Sequence, residues 1–375
     1  MPHYNSIFHQ LLKVIPRHRF ERLVDVHKGD YRARHLRCWD QFVSLLYAQL
    51  TGCDSLRELE AGFNSHVERH YHLGCQPVAR STLAKANEKR PSSLYEDVLS
   101  FLLGKLLQNE SSVREALLLL DSTTIPLNQT LFDWAEFRSH KHGVKLHLAY
   151  NPRADMPCFF AITPAKKNDM KAAAEMPIQS GATYVFDRAY NDYRWWQELH
   201  DEGCTFVTRL KKNVTYVTET WNLAKGDGVL TDDIITMKQR CTAPLRRITY
   251  HCPVKDKRLV FVTNNLDISA LEVASLYRER WQVELFFKWV KQNLKIKKFI
   301  GTSMNAVKTQ IIIALIAYVI LRLVQQTKMP DQTLRHITNL TKANIFQKKT
   351  WIDLIIPPDK TKVQRKSNQL EFALC

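Results

Sequence analysis

Three acids stand where acids are costly. Asp121 closes the apolar run at 117–120, and Asp187 closes the run ATYVF at 182–186. A carboxylate at the end of so apolar a segment needs compensation, because burying it unpaired is expensive. Metal coordination is the natural compensation, and hard oxygen donors suit Mg²⁺, with Mn²⁺ as a substitute. The third acid, Glu284, lies in YRERWQVELFFKWVK at 277–291. At 100° per residue, Tyr277, Arg280, Glu284, Lys288 and Lys291 share one stripe of about 80°. Beyond the first turn the rest of that circumference carries Val283, Leu285, Phe286, Phe287, Trp289 and Val290, with Gln282 as the polar exception. This inverts an ordinary surface helix and predicts one packed on most sides that opens a polar seam onto a cleft. In such a seam the basic groups hold phosphates while the acid holds metal.

The elements that must position these residues are legible in outline. ALLLLDSTTI, GVKLHLAYN and MPCFFAITP read as three strands, NDMKAAAEMP as a helix, ATYVFD as a strand, RWWQELHDEG as a helix and CTFVTRL as a fifth strand. The order β-β-β-α-β-α-β predicts an α/β, ribonuclease-H-like core: a three-stranded meander followed by two crossovers. In that order the strands ending at Asp121 and Asp187 are neighbours. Residues 211–266, rich in Thr and Val, predict a β-rich insertion distinct from the core, and one long helix is expected from Ser269 to Lys298. Residues 1–110 read as a helical DNA-binding domain, residues 111–300 as the catalytic domain and residues 301–375 as a helical C-terminal region. Within the first, Ser55 is placed to cap a helix, with Glu58 completing a capping box. A helix near Ser81 carries Arg80, Lys85, Asn87, Lys89 and Arg90, which permits a helix-turn-helix-like DNA reader with an unusually long connector; Arg80 and Lys85 are its expected DNA contacts. The apolar run Ile311–Leu321 spans 11 residues, too short for a bilayer, and predicts a buried helix.

The spacing Y-x2-R-x3-E-x6-K at Tyr277, Arg280, Glu284 and Lys291 resembles the signature of DDE-type insertion-sequence transposases of the IS-four family. LLLLDSTTI and YVFDRAYND resemble the segments that hold that family's first two catalytic acids, and the resemblance extends over residues 115–300. It implies that Asp121, Asp187 and Glu284 form a metal-binding catalytic triad. It implies too that Tyr277, Arg280 and Lys291 contact DNA near the cleavage point, with Arg209 a further phosphate contact. The implied activity is cut-and-paste transposition: hydrolysis at each transposon end, then attack of the freed 3′-OH on target DNA, by two-metal phosphoryl transfer. Terminal inverted repeats and target DNA would be the partners, and a homodimer would hold the paired ends. Members of the family can form a hairpin at the excised end, where a flipped base would stack on an aromatic ring. Trp195, Trp196, Trp221 and Trp281 are the candidates.

Composition agrees. Lys and Arg number 54 against 37 Asp and Glu, a net charge of +17 with a pI near 9.5, which makes a polyanion the first partner to consider. An apolar content of 45% suffices for a packed core. No C-x-x-C pair occurs, and no secretory signal is evident, so a cytoplasmic, nucleoid-associated prokaryotic protein with no membrane partner is expected. His140, His142 and His147 straddle a strand start without a Cys pair and are not read as a zinc site. Asp133 and Asp169 lie near the key strands, and Asp192 is read as the start of the next helix. A phosphate-binding G-x-x-x-x-G-K-[ST] loop is missing, as are the Ser–Arg cluster and the Arg-His-Arg set of the serine and tyrosine recombinases. Two other readings are an inactive transposase-derived DNA-binding protein and a ribonuclease-H-like nuclease. The intact acids favour the active transposase, since a pure binder has no use for them.

Overall fold

The computed structural model describes residues 5–107, 116–138, 141–220, 227–238, 240–253, 256–294, 296 and 298–355. The first helices in the chain are α1 (Ile7–Leu12), α2 (Arg17–Val26), α3 (Cys38–Thr51), α4 (Leu56–Asn64), α5 (Val67–Leu73), α6 (Arg80–Lys89) and α7 (Ser93–Leu107). Four strands follow: β1 (Leu117–Leu127), β2 (Glu136–Arg138), β3 (Lys141–Asn151) and β4 (Met156–Pro164). Next come α8 (Asp169–Ala173), β5 (Thr183–Phe186), α9 (Tyr193–Asp201) and β6 (Thr205–Arg209). The remaining strands are β7 (Tyr216–Thr220), β8 (Val229–Met237), β9 (Leu245–Cys252) and β10 (Lys257–Thr263). Helices α10 (Ala270–Glu279), α11 (Trp281–Asn293), α12 (Met304–Lys328) and α13 (Leu334–Asn344) complete the regular structure. The chain divides into two compact units. One comprises Met1–Val98, Asn293–Gly301 and Asn305–Cys375; the other comprises Leu99–Gln292 and Thr302–Met304. The helices after residue 304 thus belong with the N-terminal helices in a single unit.

In the helical unit, α3 is buried from Cys38 to Leu50 and stops at Gly52, whose φ of 80° is the left-handed conformation that favours glycine at a helix end. α12 is long and apolar enough to cross a membrane by length and composition. Every side chain from Thr309 to Leu321 is nevertheless buried inside the protein, as the apolar run predicted. Ser55 caps α4 by accepting the Glu58 N–H at 3.1 Å, while the Glu58 carboxylate reaches back to the Asp54 amide at 2.8 Å. Of the expected basic face of α6, Arg80, Lys85 and Lys89 are exposed. Asn87 and Arg90 are not part of it. Asn87 is buried and accepts from the Gln41 amide at 2.8 Å, and Arg90 donates to Gln41 Oε1 at 3.1 Å and to the Leu36 carbonyl. The connector between α4 and α6 itself contains the helix α5, so the simple two-helix reader is replaced by three consecutive helices.

The second unit is built on one ten-stranded sheet ordered β2-β3-β1-β5-β6-β10-β9-β8-β7, with β4 also pairing β3. β1, β3 and β4 form an antiparallel meander, and β5 and β6 run parallel to β1, each reached through a helical crossover. The short strand β2 had no signal of its own in the sequence. Strands β7–β10 are not a separate insertion: β10 pairs with β6 through Phe261↔Arg209, Val262↔Thr208 and Thr263↔Val207 and so continues the core sheet. Under one face of the sheet lies the main apolar core, where Leu118 and Leu120 meet Tyr184, Phe186, Trp195, Trp196, Leu199 and Phe206. The opposite face meets α11, where Phe286 packs on Tyr150 with ring centroids 5.2 Å apart.

Two arginine–aspartate pairs tie β8 to β9. Arg246 grips Asp232 through Nε and Nη2 at 2.7 and 2.6 Å, and Arg247 grips Asp233 at 3.2 and 2.6 Å while donating to the Tyr216 hydroxyl at 2.7 Å. The Asp233 side chain has no exposed surface, so its removal strands the Arg247 charge in the sheet. Asp233→Ala is expected to cost about 3–5 kcal/mol in urea unfolding. A loss below about 1 kcal/mol would show that Arg247 reaches water without its partner.

Candidate active site

Strand register brings the two aspartates together. The parallel pairing of β1 with β5 ends at Leu120↔Phe186, so Asp121 and Asp187 are the next residues on adjacent strands. β1 does not end there, contrary to the expectation from its sequence: it runs on to Leu127 against β3 alone. Asp121 therefore occupies the step at which β5 leaves the sheet and a cleft can open. Successive residues on a strand face opposite ways. Asp121 and Ser122 thus look to different faces, and α10 and α11 supply the partners of the first.

One guanidinium joins the acids. Arg280 Nη1 donates to Asp121 Oδ2 at 3.1 Å, and Nη2 donates to Glu284 Oε1 at 2.7 Å. The strand acid and the helix acid, 163 positions apart, thus lie within the span of a single side chain. Asp121 Oδ1 also accepts its neighbour's amide, Ser122 N, at 2.8 Å. Burial still pushes the Asp121 carboxyl up to about 6; Arg280 and the Ser122 amide oppose this, and the charges of Glu284 and Asp187 add to it. Asp187 caps the 3-10 turn Arg188–Tyr190 by accepting the Ala189 N–H at 2.5 Å. Among the described residues no three His, Cys, Asp or Glu side chains form one ready metal-ligating cluster. The geometry shows why: Arg280 stands between Asp121 and Glu284 as their shared counter-ion, and Asp187 is turned onto a backbone amide.

The helix bearing Glu284 departs from its expected form. A single helix from Ser269 to Lys298 is replaced by α10 and α11, which meet at Arg280. Ser269 caps the first by accepting the Glu272 N–H at 3.2 Å. At the junction Arg280 N bonds Tyr277 O and Val283 N bonds Arg280 O, both at 3.3 Å and both with the tighter three-residue spacing. Val283, Phe286, Phe287 and Val290 are buried, but Trp281 and Leu285 are 55% and 52% exposed, so α11 is covered on one side rather than on most.

The other expected contacts sort by what they touch. The Tyr277 ring packs on Phe261 at 5.2 Å and lies under Arg280 at 5.7 Å. Burial pushes the Tyr277 phenol up, while Arg280 and Arg209 pull it down and Asp187 adds to the rise, so these four side chains share one electrostatic neighbourhood. Lys291 is anchored to β1, where its ammonium donates to the Thr123 hydroxyl and to the Thr124 carbonyl. Lys288, one turn beyond Glu284, is exposed. Arg80 and Lys85 are exposed on the helical unit. Trp195 and Trp196 are buried in the core, Trp281 is exposed, and Trp221 lies outside the described residues, as does His140.

A polar cluster behind β1 went unassigned in the sequence. Asp169, at the start of α8, accepts from Ser122 Oγ at 2.9 Å and from Lys145 Nζ at 3.1 Å, with His147 Nδ1 at 3.6 Å. Burial drives His147 down to about 4, and it pairs with the Thr163 hydroxyl at 2.9 Å as a neutral ring. The cluster braces the residue next to Asp121 from the opposite face. From the sequence, Asp169 and His147 are noted only as lying near the key strands. Asp192, by contrast, caps α9 as expected, accepting the Arg194 and Trp195 amides at 2.9 and 3.4 Å.

Comparison with known proteins gives consistent results. Residues 114–320 match the family model described as the transposase DDE domain, and residues 3–76 match a domain of unknown function. A Sinorhizobium fredii protein named as a transposase, y4zB, is 34% identical over 321 residues, 82% of this chain and 89% of that one. A Geobacillus stearothermophilus protein named as a transposase for the insertion sequence element IS5377 is 31% identical over 257 residues, 66% of this chain and 68% of the other. Among solved structures, a piggyBac transposase synaptic complex with hairpin DNA aligns with a TM-score of 0.48 at 11% identity, over 97% of this chain and 84% of that one.

The raised Asp121 pKa has a stability consequence of definite sign. Its folded value, about 6, lies above the ordinary 3.8, so the protonated carboxyl favours the fold and that advantage is lost as pH rises from about 4 through 6. Above that window the ionised group disfavours folding by on the order of 3 kcal/mol. In chelator-containing buffer at pH 8, Asp121→Asn is expected to raise the melting temperature by several degrees, with the difference vanishing near pH 4. Equal melting temperatures for the two proteins at pH 8 would mean that Arg280 compensates the charge in full.

Proposed function

The chain belongs to the family of transposases with a DDE domain and is a DNA transposase, and on that premise we propose a cut-and-paste enzyme that uses two-metal phosphoryl transfer on a ribonuclease-H-like core. The strand order β4-β3-β1-β5-β6, three antiparallel and two parallel, supports such a core. The observation that carries the mechanism is Arg280 bridging Asp121 and Glu284. Two acids from distant parts of the chain share one cation where the pairing of β1 with β5 ends, and that sharing supports the reading.

Divalent cations fit this donor set. The donors are hard carboxylate oxygens, and Asp121 stays short of counter-charge even with a guanidinium on it. Asp121, Asp187 and Glu284 would hold the ions, Mg²⁺ with Mn²⁺ as substitute, which when bound activate the attacking oxygen and stabilise the leaving 3′ oxygen. Arg280 must then release at least one carboxylate, and its freed fork suits a phosphate as well as it suits a carboxylate. Tyr277, Arg209 and Lys288 complete the set of groups that would hold the DNA strand. Lys291, bonded to β1, fixes the Glu284 helix against the strand carrying Asp121 as well as adding positive charge. Among the described candidates, Trp281 is the exposed one for stacking a flipped base.

Water would be the nucleophile in the first step and the freed 3′-OH in the second. Arg80 and Lys85, on the N-terminal helical domain, would contact the terminal inverted repeats, and a homodimer would pair the two ends in the bacterial cytoplasm, at the nucleoid. The test is Mg²⁺-dependent nicking of the element's own ends by the wild type and by Glu284→Ala. Loss of at least about a thousandfold is expected of the variant, in line with removal of a group acting at the transition state. Nicking that survives the substitution takes the helix acid out of the reaction.

A further inference from the structure

Within the helical unit, a cavity of about 780 Å³ opens beside the C-terminal end of α3, α5 and the segment following α13. Its aromatic lining is well packed: the Tyr47 and Phe346 rings lie 5.7 Å apart, and His66 lies 4.3 Å from Phe346. Around these stand Arg69, Lys342, Lys348 and Lys349, and among the described residues no Asp or Glu lines the cavity. The three lysines are exposed. Arg69 pairs with Glu68 at 3.5 Å, at the surface. Asp353 feels the charge of Lys349, but its carboxylate is occupied by the Thr350 N–H at 2.9 Å.

Cations gathered around a low-dielectric concavity repel one another and focus a positive field into it. α13 ends here, and the partial negative charge of its last carbonyls would oppose an anion. Lys342 in the last turn and the Asn344 amide, which donates to the Leu340 carbonyl at 2.9 Å, offset that charge. The volume exceeds a single phosphate, and the cations are spread over two segments distant in sequence. Residues 342–349 also lie outside both family-model matches.

We propose that this pocket binds the phosphodiester backbone of DNA, taking adjacent phosphates of one strand. It positions the duplex without reading its sequence. The choice of DNA as the polyanion rests on the transposase reading.

The experiment measures binding of the full chain to duplexes of element-end and unrelated sequence by fluorescence anisotropy across a salt series. The variant K342Q/K348Q/K349Q is compared with K13Q/R19Q/R22Q, which removes the same charge from exposed positions elsewhere on that unit. The pocket variant should flatten the slope of log K against log salt by about 2–3 and weaken binding roughly ten- to a hundredfold near 0.1 M salt, alike for both sequences. Unchanged melting temperature and circular dichroism confirm folding. Equal effects from the two triple variants overturn the proposal, as does no effect, or a loss confined to binding of pyrophosphate or a mononucleotide. Failure of wild-type cleavage of the element's ends would strike the transposase reading and leave the pocket's binding result standing.

Discussion

Everything at the candidate active site follows from the cost of placing like charges together where water is scarce. Asp121 and Asp187 are brought side by side by a backbone register of four residue pairs, Leu117↔Thr183 to Leu120↔Phe186. Slipping that register by one would turn the Leu118 and Leu120 side chains out of the core. Asp187 turns onto the Ala189 amide, so the positive group must come to Asp121. Arg280 does so, and it spans to Glu284 in the same gesture.

That demand explains the local shape of the helix pair. Arg280 sits at the junction of α10 and α11, where hydrogen bonding tightens. On one side of the junction Tyr277 packs on Phe261 of β10; on the other, Phe286 packs on Tyr150 of β3. The arginine is therefore held over the sheet by apolar contacts at both ends, and Lys291 fastens α11 to β1 beyond it. From behind, Asp169 holds Ser122 with help from Lys145. The strand acid is braced from both faces of the sheet, which is what a group that must meet a substrate in fixed geometry requires.

What the sequence disclosed and what it concealed divide by the range of the interaction. The cap at Ser55 and the helix starts at Asp192 and Ser269 were legible because such a start is settled within four residues. The strands of the core were legible as apolar runs, and their order as a sequence of element types. The pairing of β10 with β6 was not, because nothing in residues 211–266 says which edge of which sheet they extend. Periodicity identified Trp281 and Leu285 as apolar but could not say that their side of α11 stays uncovered. Arg90 and Asn87 looked like surface groups until α3 supplied Gln41. The Glu284 stripe was read as a seam of mixed charge. Its inner logic, one arginine serving two acids, needed coordinates, because Asp121 is 159 residues from Arg280.

The +17 charge of the chain then separates into two populations with different physics. Arg280, Arg246, Arg247 and Lys145 are largely withdrawn from water and matched to carboxylates. Lys288, Lys342, Lys348 and Lys349 stand exposed. An exposed lysine adds little to folding and keeps its hydration, and on meeting a phosphate backbone it displaces the cations condensed there. Arg280 belongs to the first population yet can pass to the second, since a carboxylate and a phosphate present the same oxygen pair to its fork. Delivery of a competing positive charge to Asp121 and Glu284 would release that arginine toward the substrate, so the occupancy of the acids and the grip on the DNA are coupled through one side chain.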